Sequence, residues 1–127
     1  MGSGIAEVAS RAGYEVVLRS RKQESADATL AKMDSSLARA VSKGRLSEEE
    51  HAAILARVTA TDDLSQVADC GLVIESVVED LATKTALFAE LDQVCGPDTI
   101  LATNTSTLAV TEMAVATAAI TRLARPA

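Results

Sequence analysis

GLVIESVVEDLATKTALFAELDQVCGPDTILATNT, residues 71–105, decides the fold. It opens on a short apolar run, Gly71-Leu72-Val73-Ile74, that reads as a buried strand. Residues 81–95 follow at helical spacing, with Leu87, Phe88, Leu91 and Val94 inward and Gly96-Pro97 as the stop. Thr99–Ala102 is a second apolar run and leads into Asn104-Thr105-Ser106-Thr107. A strand, a helix and a strand in this order predict a βαβ unit, with parallel strands joined by a right-handed crossover.

The flanking sequence repeats the alternation. Upstream, residues 3–12 predict a helix with Ile5, Val8, Ala9 and Ala12 on one face and Gly13 just past its end. Glu15–Leu18 is a short β-branched strand. From Gln23 to Lys43, Leu30, Met33, Leu37 and Val41 mark the apolar face of a long helix closed by Gly44. Ser47-Glu48-Glu49-Glu50 is a capping box that starts a helix running to about Arg57. Val58–Thr61 predicts a strand, Leu64–Ala68 a helical turn, and the tail from Val110 a helix. The fold class is therefore α/β, a Rossmann-type doubly wound parallel sheet.

Composition narrows the function. The chain has 127 residues, one domain's worth, and 48% of them are hydrophobic, enough for a core. Only 2% are aromatic, so aliphatic side chains must fill it. The net charge of -6 argues against nucleic acid and anionic membranes as partners, since both need a basic face. No apolar run reaches the roughly 18 residues of a membrane span, and no signal peptide is visible at the start. Cys70 and Cys95 fit no metal or redox spacing and read as reduced core thiols of a cytoplasmic protein. No metal site is expected. His51, in an acidic helix, reads as a surface residue.

The start looks like half of a motif. Met1-Gly2-Ser3-Gly4-Ile5-Ala6 runs straight into a helix, and Gly2 fits the third glycine of G-x-G-x-x-G. The acidic residue expected about 20 positions on is replaced by Arg19-Ser20-Arg21-Lys22. Ser20 would contact the ribose more weakly than an Asp, and its cationic neighbours would favour a 2′-phosphate, so NADP stands beside NAD. A solvated basic strand end is the plainer reading of the same residues.

Together these segments resemble one family. Met1–Ala9 with Ala12–Leu18, Leu72–Leu81 with Lys84, and Ile100–Leu108 are similar, in that order, to the 3-hydroxyacyl-CoA dehydrogenases, particularly the bacterial 3-hydroxybutyryl-CoA kind. The resemblance runs from Met1 to about Arg122. It implies an oxidoreductase of fatty-acid or butanoate metabolism that moves a hydride between C3 of the acyl-CoA and the nicotinamide. Gly2 would lie against the pyrophosphate of NAD. Glu79 and Lys84 match positions that contact the nicotinamide nucleotide, and Asn104 lies beside Ser106, which matches the active-site serine. Ser36 and Lys43 match coenzyme A contacts, and their spacing of seven puts both on one helix face. Ordinary readings stand beside these. Lys43 is also a good partner for a helix C-terminus, Glu79 is helix N-terminal charge, and Asn104–Thr107 is a polar turn.

The pattern breaks at both ends. Counting on from Ser106 at the family's spacing puts the general-base histidine at Ala127, the last residue, and the approach to it decays after Arg122. The first strand and first two glycines should precede Met1. The expectation is thus a partial NAD-binding domain over residues 1–127, lacking its first strand and the C-terminal helical domain that carries dimerisation. A chain without a central strand is expected to be marginal alone. The competing expectation is a fragment that binds nucleotide or CoA without turnover, or a gene remnant.

Overall fold

The computed structural model describes Gly2–Val77 and Asp80–Asn104, together with the backbone of Leu123–Ala124. The chain divides after Asp63 into two units.

The first unit is built from three helices and two strands. α1 (Gly2–Arg11) leads to β1 (Val16–Arg19), α2 (Gln23–Ser42), α3 (Glu48–Ala56) and β2 (Val58–Thr61). The two strands are parallel and pair in register from Val16↔Val58 to Arg19↔Thr61. Ala6, Leu18, Met33, Leu37, Ile54 and Val58 form its core, one stripe from each element. Two turns depend on glycine. Gly13 and Gly44 have φ of 98° and 68°, a left-handed conformation that side chains with a Cβ avoid. At Gly44 the amide donates to the Val41 carbonyl at 3.0 Å and the Arg45 amide to the Ala40 carbonyl at 2.9 Å, a Schellman closure of α2. The capping box of α3 is complete: Glu50 N–H donates to Ser47 Oγ at 3.1 Å, and Ser47 N–H donates to Glu50 Oε2 at 2.9 Å.

The second unit follows the βαβ reading. A 3-10 turn (Leu64–Val67) precedes β3 (Leu72–Glu75), α4 (Leu81–Val94), β4 (Ile100–Thr103) and β5 (Leu123–Ala124). The three strands are parallel in the order β3-β4-β5. Val67, Phe88, Leu91, Cys95, Leu101 and Ala102 are its buried apolar residues. β1 pairs only with β2, and β4 pairs with both β3 and β5, two separate parallel sheets among the described residues.

Four expectations change. The buried face of α1 is Ala6 and Ser10, while Val8 is 70% exposed. α1 packs on α2, α3 and β1. Small side chains let it approach closely, and the larger Val8 turns away. The apolar tail is not helical at Leu123–Ala124, where backbone ladder bonds to Leu101 and Ala102 make a strand; the rest of that predicted helix, 110–122, lies outside the described residues. His51 is not simply a surface residue. Its side chain is 20% exposed, and Nε2 lies 2.6 Å from Asp34 Oδ1, tying α3 to α2. Both cysteines are free, but only Cys95 is buried. The Cys70 thiol is half-buried, and burial, then the nearby Asp69 carboxylate, push its pKa up.

Candidate functional site

β3 and β4 end together, and their register brings two polar side chains to one point. Glu75 and Thr103 are register partners at the carboxyl ends of the two strands. Residues paired in a ladder project to the same face, so carboxylate and hydroxyl meet. Thr103 Oγ1 donates to Glu75 Oε2 at 2.6 Å. The Val77 amide donates to Glu75 Oε1 at 2.7 Å, which turns the chain out of the strand. Lys84, in the second turn of α4, brings its ammonium to 3.2 Å from the same Oε1, with both side chains essentially inaccessible. The Asn104 amide donates to the Glu75 carbonyl at 3.0 Å. A buried carboxylate thus has an ammonium, a hydroxyl and an amide as partners, which compensates its loss of water.

α4 is aimed at this point by its cap. Asp80 accepts from the Thr83 amide at 2.9 Å and from the Thr83 hydroxyl. Those two hydrogen bonds hold the Asp80 carboxyl below the usual carboxylate range. The carboxyl ends of strands are where doubly wound folds bind ligands. Glu75 was not singled out from sequence. Its signal was present: a carboxylate at the end of an apolar run has to be paired or exposed.

A second group lies in the first unit. A cavity of about 350 Å³ is lined by Arg11, Ser36, Arg39, Ala40, Lys43 and Arg45. It collects four of the chain's twelve lysines and arginines, although the chain carries a net charge of -6. Such a concentration of like charge suits an anion.

Ser36 and Lys43 line one cavity. Gly2 opens α1 and is half-buried, and the first turn of that helix carries no acidic residue. Ser20 follows β1, half-buried, its amide donating to the Thr61 carbonyl at 3.1 Å. Beside it, Arg19 Nε donates to the Asp62 carbonyl at 3.2 Å. Lys84 is buried against Glu75, and Asn104 is half-buried at the end of β4. Glu79 and Ser106 lie outside the described residues. Among the described residues, no helix is long and apolar enough to cross a membrane.

Parallel strands alternating with helices, with polar groups gathered where the strands end, define a nucleotide-binding α/β protein. Residues 1–125 match the family model of the 3-hydroxyacyl-CoA dehydrogenase, NAD binding domain, and the chain belongs to that family. It is 47% identical over 118 residues to a 3-hydroxybutyryl-CoA dehydrogenase of Mycobacterium tuberculosis, across 92% of this chain and 41% of that protein. It is 43% identical over 117 residues to the 3-hydroxybutyryl-CoA dehydrogenase of Clostridioides difficile, across 92% of this chain and 42% of that one. The crystal structure of Mycobacterium tuberculosis FadB2 superposes with a TM-score of 0.95 at 44% identity, covering 98% of this chain and 44% of that chain. The chain therefore spans less than half the length of these relatives.

Proposed function

We propose that this chain is the cofactor-binding part of a cytoplasmic NAD-dependent dehydrogenase acting on 3-hydroxyacyl-CoA thioesters, of the 3-hydroxybutyryl-CoA kind. Residues 1–127 are then a partial NAD-binding domain, and a C-terminal helical domain supplies the general base and the dimer contact. Within the described geometry, one observation carries this reading furthest. Ser36 and Lys43, assigned to coenzyme A from the sequence, line a single basic cavity.

The first turn of α1 holds no acidic side chain, so its positive helix end would favour a pyrophosphate. Gly2 lets the backbone approach it. When bound, NAD supplies the two-electron acceptor for C3 of the substrate. By the family match, Glu79, Lys84 and Asn104 would contact the nicotinamide nucleotide, and Ser106 would hydrogen-bond the substrate's 3-oxygen. The buried Glu75 fixes two of these residues, gripping Lys84 through its carboxylate and the Asn104 amide through its carbonyl. Proton removal falls to a base in the C-terminal domain, whose pKa must lie near the working pH.

At the ribose, Ser20 stands where an acidic residue would exclude a 2′-phosphate. Arg19 is engaged by the Asp62 carbonyl, which leaves Arg21 and Lys22 as the cations for a phosphate. Titrating the chain with NADH and NADPH, by nicotinamide fluorescence, tests the cofactor. Saturable NADH binding at least as tight as NADPH binding is expected. Clearly tighter NADPH binding would reassign the cofactor to NADP, and no binding of either by folded chain would overturn the proposal. The chain alone should show no acetoacetyl-CoA-dependent oxidation of NADH.

A further inference from the structure

At the carboxyl end of β1 the expected acid is absent. Ser20 holds the position where a carboxylate would grip the adenosine ribose and turn away a 2′-phosphate. The neighbouring strand supplies a carboxylate at the same level. β1 and β2 pair in register up to Arg19↔Thr61, and the Ser20 amide continues the ladder to the Thr61 carbonyl at 3.1 Å. Asp62 follows Thr61 as Ser20 follows Arg19, so the next rung sets Asp62 beside Ser20. Asp62 is exposed, yet both of its backbone groups are held. Its amide donates to Gln23 Oε1 at 3.1 Å, and its carbonyl accepts from Arg19 Nε at 3.2 Å. Gln23 Nε2 donates in turn to the Ala60 carbonyl at 3.0 Å and to Asp27 Oδ1 at 2.8 Å. The first residue of α2 therefore grips β2 on both sides of Thr61. The Asp63 amide closes the turn on Thr61 Oγ1 at 3.1 Å. Among the described residues, the Asp62 carboxylate makes no ion pair.

We infer that Asp62 stands in for the acid missing at Ser20: its carboxylate accepts from the adenosine ribose hydroxyls, repels a 2′-phosphate and so selects NAD over NADP. Gln23 is a positioning residue that holds Asp62 there. The inference rests on the NAD reading of this chain and deepens it. A phosphate monoester brings nearly two negative charges at neutral pH. Neighbouring strands lie about 5 Å apart, a distance at which like charges near a protein surface repel appreciably. Arg21 and Lys22 are exposed and would draw the phosphate, while Arg19 Nε is already engaged by the Asp62 carbonyl. Long exposed side chains must give up rotamer freedom to hold a ligand. Asp62 is set in place by its backbone before any ligand arrives, which favours its charge over theirs.

Titrating the full chain and its variants with NADH and NADPH, followed by nicotinamide fluorescence, tests this. The parent should prefer NADH. Asp62→Asn should tighten NADPH binding about tenfold, the size expected for relieving like charges one strand spacing apart near a surface. Asparagine keeps an oxygen for the ribose, so NADH affinity should stay nearly as it was. Ser20→Asp added to Asp62→Asn should restore the NADH preference at the parent's net charge. Gln23→Ala should shift the ratio toward NADPH, but by less. A merely structural role for Asp62 would weaken both nucleotides together. Asp62 and Gln23 are exposed, so the fold should survive, and circular dichroism checks it. If folded Asp62→Asn keeps the parent's ratio, or Ser20→Asp fails to restore it, this inference falls and the NAD reading stands. If the folded parent prefers NADPH, the inference falls together with the choice of NAD. If the folded chain binds neither nucleotide, the dehydrogenase reading falls and takes the inference with it.

Discussion

Glu75 carries the most structural weight of any single residue in the candidate site. It is 3% exposed and joins β3, β4, α4 and the chain leaving β3. Removing Glu75 takes away the carboxylate that the buried Lys84 ammonium, the Thr103 hydroxyl and the Val77 amide share. Glu75→Ala should therefore cost about 3–5 kcal/mol, read by urea unfolding. Replacing both members, as Glu75→Leu/Lys84→Leu, should cost much less, because no charge is left buried alone. Equal losses in the two variants would mean that packing, not charge, is at stake. The sequence reading missed this residue because it ended the strand at Ile74, one position early. The apolar run marks a strand's interior, but its last rung is set by the register with β4, which only folding supplies. Ser36 and Lys43 were singled out by the family resemblance rather than by any local pattern. Arg11 and Arg45 were not, because no local period connects them to α2.

At the scale of elements, type and order were legible and faces less so. Caps announced themselves: Ser47 and Glu50 bond reciprocally as their spacing requires. Glycines at the ends of α1 and α2 did the same. The face of α1 was misread because its apolar positions form more than one stripe, and the choice between them belongs to the neighbours it packs on. α4 yields a pH prediction. The Asp80 carboxyl is held below its ordinary range by Thr83, so its cap stabilises the fold above the unfolded carboxylate pKa. That contribution is lost as pH falls through the depressed folded value. Asp80→Ala should lose stability at neutral pH, and the difference from the parent should shrink toward zero in strong acid. A difference that persisted unchanged in acid would assign the loss to something other than this ionised cap.

For the whole molecule, the sheet leaves apolar surface open. Leu72 and Ile100 are 53% and 50% exposed and stand opposite each other on β3 and β4, with Ile74 at 37% beside them. Among the described strands, β1 and β3 each have a single partner. Apolar strands with an open edge associate readily. The chain should unfold below the ordinary mesophile range and aggregate as it is concentrated, as scanning calorimetry and light scattering would show. Cooperative unfolding of a soluble monomer near 60 °C, well within that range, would contradict this.

The most direct test of the account is turnover in a complete polypeptide. Residues 1–122 would replace the matching segment of the Mycobacterium tuberculosis relative, and the rest of that protein would be kept. Acetoacetyl-CoA-dependent oxidation of NADH by the hybrid is expected, reduced about a hundredfold by Ser106→Ala, as when a hydrogen-bond donor to the reacting oxygen is lost. A hybrid that folds and binds NADH yet shows no turnover would contradict it.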